Sequence, residues 1–101
     1  MQWHKVMDFD DLWEGDMVGV QVEDRALLVM SIKGDIRIWA DRCPHQATLL
    51  SDGDLDGSTL TCASHLWEFN ALSGAGINPG NCQLEAYAVK VEDGEILVGF
   101  E

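Results

Sequence analysis

The chain predicts an all-β fold, an antiparallel β-sandwich or small barrel, on three observations. Apolar residues recur at every second position over short runs, as strands with one buried face require. Turn-forming residues punctuate those runs. Only one short stretch has a helical character, and no repeat, low-complexity tract or linker divides residues 1–101, which make one domain.

Taken in order, the first strand is expected at Trp3–Val6. Asp10-Asp11-Leu12-Trp13 suggests a helical turn, because carboxylates suit its N-terminal end. Trp13 and Trp39 are assigned to the core as large apolar side chains. Strands at Met17–Val22 and Ala26–Ile32 are joined through Glu23-Asp24-Arg25, and Lys33-Gly34-Asp35 leads into Ile36–Ala40. Thr59–Cys62 and Trp67–Asn70 follow, with a turn at Ser73-Gly74. Asp93-Gly94 is a strong hairpin signal between Ala86–Val91 and Ile96–Phe100. From Cys43 to Pro79 the pattern is irregular, which marks a loop-rich subdomain at about 42–80 inserted between strands. Within it Asp52-Gly53-Asp54-Leu55-Asp56-Gly57 imitates an EF-hand opening, but the twelfth position is Ala63 instead of Glu and no helices flank it. That segment reads as a solvated acidic turn between two strands.

Eighteen acidic against six basic residues give a net charge of -12. Such a surface repels nucleic acid and anionic membranes, and a charge-steered partner would be basic where it docks. No apolar run approaches the ~20 residues of a membrane helix, and Met1-Gln2-Trp3-His4-Lys5 lacks a signal-peptide core, so a cytoplasmic location is expected. Three cysteines make a poor disulfide framework and suit a reducing compartment. Cys82 reads as a small buried hydrophobe and His4 as incidental. No glycine-rich loop for a nucleotide or flavin is present.

The chemistry-bearing residues lie in the irregular stretch. Cys43 and His45 are one residue apart, and Cys62 and His65 two apart, giving C-x-H and then C-x-x-H. Two thiolates and two imidazoles can close a tetrahedral zinc site, which would make this a structural interaction module. Paired Cys/His loops also hold a [2Fe–2S] centre with Cys on one iron and His on the other, which would make it an electron carrier.

The neighbouring residues favour iron. Cys43-Pro44-His45-Gln46 and Cys62-Ala63-Ser64-His65-Leu66-Trp67 resemble the two cluster-binding boxes of Rieske proteins, and Gly76-Ile77-Asn78-Pro79-Gly80 is similar to the proline-containing loop that shields such a cluster. Leu66-Trp67 and Ile77-Asn78-Pro79 resemble most the Rieske ferredoxin component of toluene and benzene monooxygenases, and the likeness runs from Lys5-Val6-Met7 to Ile96-Leu97-Val98. The resemblance implies the Rieske fold and one [2Fe–2S] cluster, with Cys43 and Cys62 on the inner iron and His45 and His65 on the outer. It implies an NADH-dependent flavin/iron–sulfur reductase as electron donor and the di-iron hydroxylase of an aromatic-hydrocarbon monooxygenase as acceptor, the chain itself being no enzyme. Gln46, Trp67 and Pro79 are the expected docking residues, with packing beside the cluster the equal alternative for Trp67 and stiffening of the covering loop the simpler role of Pro79. The ferredoxin of a ring-hydroxylating dioxygenase is the alternative, although glycine is more usual there after the last histidine. An oxygenase in its own right would need two further His and a carboxylate for a mononuclear iron, and only His4 remains.

High-potential members of the family join the two cluster loops by a disulfide, and no cysteine follows Pro44-His45 or occupies 63 or 64 here. By the same resemblance Trp67 and Phe69 stand where those members place Ser and Tyr hydroxyls near cluster sulfur. Two missing donors disfavour the reduced state, so a potential near the low end of the Rieske range, ~-150 mV, is expected.

Overall fold

Leu27, Leu28, Val29 and Met30 are consecutive and all fully buried, so period-2 alternation vanishes where the chain should most clearly be a strand. The reason is that the sheet carrying them is covered on both faces. In a computed structural model that describes residues 2–42, 49–63, 67–78 and 83–100, ten strands form: β1 (Gln2–Asp8), β2 (Met17–Val22), β3 (Arg25–Ile32), β4 (Asp35–Ala40), β5 (Asp54–Asp56), β6 (Thr59–Thr61), β7 (Glu68–Asn70), β8 (Gly76–Asn78), β9 (Ala88–Glu92) and β10 (Glu95–Phe100). They build three sheets, β1-β10-β9, β2-β3-β4 and β5-β6-β7-β8. All pairings are antiparallel.

Alternate residues of β3 serve two cores. Leu27 and Val29 join Leu12, Ile36, Ile38, Ile96 and Val98 between the first and second sheets. Leu28, Met30 and Ile32 join Trp39, Leu50, Leu60, Cys62, Phe69, Ala71 and Leu84 beneath the third. Ahead of β9 the chain is stitched to β4: the Ala40 N–H donates to Glu85 O at 2.8 Å and the Tyr87 N–H to Ile38 O at 3.0 Å. The first two sheets thus approach a barrel, with the third layered on one wall.

The hairpins follow their turn chemistry. Lys33 (φ 52°) and Gly34 (φ 84°) join β3 to β4, and Asp93 (φ 53°) and Gly94 (φ 77°) join β9 to β10. Both residues of each pair are left-handed, the type I′ geometry that matches strand twist. On the exposed face of the first sheet, Lys5 Nζ sits 3.0 Å from both Asp8 and Glu95. Hydrogen bonding to Glu95, then to Asp8, raises its pKa above the ordinary lysine value.

Several expectations are corrected. Trp13 is 73 % exposed, and its neighbour Leu12, 5 % exposed, occupies the core. The helical turn is a 3-10 turn at Phe9–Asp11, one residue early, which rotates Leu12 inward. Trp13 instead closes its own turn, its carbonyl accepting from Asp16 N at 2.9 Å. The acidic turn at 52–57 contains strand β5, because Leu55, between exposed Asp54 and Asp56, packs on the core. The third loop begins as strand β8, which pairs with β7. The strand expected at Ala86–Val91 runs over Ala88–Glu92, and Ala86 makes an isolated bridge to Trp39.

Trp39 is in the core as expected, 4 % exposed. It bolts β4 to the third layer: Nε1 donates to Ala71 O at 3.1 Å. Gly74 makes this possible, since a Cβ there would stand 2.7 Å from the Trp39 ring, and its φ is +77°.

Candidate metal centre

Each ligand box hangs from a strand end. The first follows β4. The Asp41 N–H donates to Ala26 O at 3.0 Å, prolonging the β3–β4 ladder by one step. The Asp41 side chain, 4 % exposed, turns inward. Its Oδ1 accepts from the Ser51 N–H at 2.8 Å and its Oδ2 from the Ser51 Oγ–H at 2.7 Å. Leu50, fully buried, opens a 3-10 turn at Leu50–Asp52. Asp41 and Ser51, which flank in sequence the stretch bearing Cys43 and His45, are thereby fixed to one another.

The second box spans the β6–β7 connection. Cys62 follows β6 directly and is fully buried beside Leu60, Phe69, Leu50 and Trp39. Its N–H donates to Trp67 O at 2.7 Å, closing the β6–β7 connection. Gly53 backs this turn: a Cβ there would collide with Thr61 O and meet Ala63 N at 3.3 Å. Trp67 is half-buried and packs against the same core.

Of the residues named from sequence, Cys62 and Trp67 are described; Cys43, His45, Gln46, His65, Pro79 and Cys82 lie outside the described residues. Among the described residues no three His, Cys, Asp or Glu side chains gather as a metal site. The described residues fit a [2Fe–2S] group to this extent: Cys62, buried directly after β6, carries a sulfur of the kind that ligates iron in such clusters. Phe69, fully buried in that core, brings no hydroxyl to it. Periodicity gave no sign of Asp41, Ser51 and Gly53, which lie beside these stretches; their contacts are ones of close approach, which strand patterning does not encode.

The Rieske [2Fe-2S] domain pattern matches residues 2–88. The chain belongs to the Rieske [2Fe–2S] family. Its cofactor is one [2Fe–2S] cluster of Rieske type. It is 35% identical to the ferredoxin component of the alkene monooxygenase system of Xanthobacter autotrophicus, over 100% of this chain and 84% of that protein. It is 30% identical to the ferredoxin component of the naphthalene 1,2-dioxygenase/salicylate 5-hydroxylase systems of Ralstonia sp., over 98% of this chain and 96% of that one. Among solved structures, the complex of reduced oxygenase and oxidized ferredoxin in carbazole 1,9a-dioxygenase contains a chain that superposes with a TM-score of 0.87 at 30% identity, covering 96% of this chain and 92% of that one. The ferredoxin of carbazole 1,9a-dioxygenase from Nocardioides aromaticivorans shares the fold, with a TM-score of 0.89 at 24% identity. This Rieske protein is a ferredoxin, an electron carrier rather than a catalyst. No helix among its described residues is long and apolar enough to cross a membrane.

Proposed function

We propose that this ferredoxin carries single electrons in the cytoplasm from an NADH-dependent reductase to the di-iron hydroxylase of a hydrocarbon monooxygenase. The match to an alkene monooxygenase ferredoxin, over 100% of this chain and 84% of that protein, carries the reading. The narrower assignment to an aromatic hydrocarbon rests on Leu66-Trp67 and Ile77-Asn78-Pro79. A second reading, a dioxygenase ferredoxin, is favoured by the likeness to the carbazole dioxygenase complex.

Cys43 and Cys62 would hold the cluster through thiolates, and His45 and His65 through imidazole nitrogens. When bound, the cluster accepts one electron and releases it. The chain's own contribution is an apolar wall, since Phe69, Leu60 and Leu50 are fully buried in the core that contains Cys62. Trp67, Gln46 and Pro79 are the proposed docking residues, and the excess of carboxylates steers a basic partner patch.

Two measurements test this. Visible and EPR spectra of the purified protein should show a Rieske cluster that is lost in Cys43→Ser and Cys62→Ser and kept in Cys82→Ser; stoichiometric zinc with no iron would end the reading. Stopped-flow oxidation of reduced ferredoxin by a di-iron hydroxylase should slow as ionic strength rises from about 0.1 M to about 1 M, where the screening length shrinks from about 10 Å to about 3 Å. Transfer only to a ring-hydroxylating oxygenase, giving a dihydrodiol product, would establish the dioxygenase reading instead.

A further inference from the structure

We propose that Asp41 and Ser51 form a clasp that holds the first ligand segment in its binding geometry, with Gly19 as the bed on which the clasp lies; Asp41 is then a positioning residue for Cys43 and His45. The inference rests on the ligand assignment given above.

A carboxylate 4 % exposed must be satisfied by donors, because burying it unpaired is costly. Asp41 spends both oxygens on one residue, Ser51, through bonds of 2.8 and 2.7 Å. Bonds of that length to a carboxylate are charge-assisted and stronger than neutral ones. They are made ten positions apart in sequence, across the stretch that contains Cys43 and His45. Leu50, fully buried next to Ser51, stops the far end from sliding.

Gly19 on β2 supplies a third, independent observation. A Cβ there would stand 2.8 Å from Ser51 Oγ, 2.9 Å from Asp41 Oδ2 and 3.0 Å from Ser51 Cβ. Its backbone is not left-handed, so space beneath the clasp, not conformational freedom, is what requires glycine. Three elements, β2, the end of β4 and the 3-10 turn, thus converge on one pair of bonds. Fixing residues 41 and 51 to one another removes part of the loop-closure entropy that ligand binding would otherwise have to overcome.

The test follows chelator-driven bleaching of the oxidised holoprotein, amide exchange at Ser51 in the apoprotein, and the unfolding midpoint of each variant. Asp41→Ala and Gly19→Ala should each accelerate cluster loss by about ten- to hundredfold and speed Ser51 exchange comparably. Asp41→Asn keeps an acceptor for the Ser51 N–H and can donate to Oγ, so it should stay within about threefold of the native rate. Gly19→Ala should do less harm in a Ser51→Ala background, where the nearest clashing atom is gone. If Asp41→Ala fails to fold, Ser51→Ala, which deletes one bond, decides by the same readouts. Native cluster retention and native Ser51 exchange in both Asp41→Ala and Gly19→Ala would overturn the clasp. So would acceleration that merely tracks the unfolding midpoint with no rescue by Asp41→Asn. Cys43→Ser is run beside them: if it keeps its cluster, the ligand assignment fails; if it loses the cluster while Asp41→Ala does not, the clasp alone fails.

Discussion

The barrel-like half and the layer stacked on it hold their shape in different ways. Strands β1 to β4, β9 and β10 are five to eight residues long, and most are joined by tight two-residue turns. In the third sheet every strand has three residues. Strands so short contribute little by pairing alone. The layer relies instead on deep anchors such as Phe69 and Leu60, and on side chains that bind backbone: Asn70 Oδ1 accepts from the N–H of Leu72 at 2.9 Å and of Ser73 at 3.1 Å. The third layer can therefore be irregular because a regular sheet beneath supplies half its core.

Removing the bolt between the two regions should have the largest effect. Trp39→Ala deletes a buried ring and its bond to Ala71, and should destabilise the apoprotein by about 3–5 kcal/mol in urea unfolding. A loss under about 1 kcal/mol would show that the layers stand independently. Glycine gives a finer comparison, because Gly74 and Gly94 share φ +77° but only Gly74 touches Trp39. Gly94→Ala should cost about 1–2 kcal/mol for the left-handed backbone. Gly74→Ala should cost about 1–3 kcal/mol more, for the overpacked ring. Equal losses would remove the contact from the account. Smallest of all, Trp13→Ser should change stability by no more than about 0.5 kcal/mol while abolishing the most water-exposed indole fluorescence. A larger loss would mean that Trp13 packs.

This division also governs what could be read in advance. Around the barrel, Met17–Val22 and the Lys33-Gly34 and Asp93-Gly94 turns carry local rules, and they stand where the sequence puts them. In the third layer, β5 escapes notice because Asp54 and Asp56 read as turn residues and Leu55 alone marks its buried face, and β8 because Gly76 and Asn78 are poor strand formers. Trp13 misleads because burial was inferred from side-chain size, whereas a one-residue shift of a 3-10 turn gave the core position to Leu12. Of the site, Cys/His spacing was legible as chemistry. Its supports were not, since Asp41 and Gly19 matter for what lies opposite them in space.

The pairing of β1 with β10 bears on how the chain finds this shape. Gln2 lies opposite Phe100, so the first sheet closes only once residues far apart in sequence have been brought together. The hairpins β2–β3–β4 and β9–β10 can form from neighbours in sequence, but the seam between β1 and β10 is among the longest-range contacts the chain can make. Contacts of that separation slow folding, because loop closure must come before any of their benefit. Closing the third layer over Trp39 shortens the effective chain between β4 and β9, so early docking of that layer should also speed the pairing of β1 with β10.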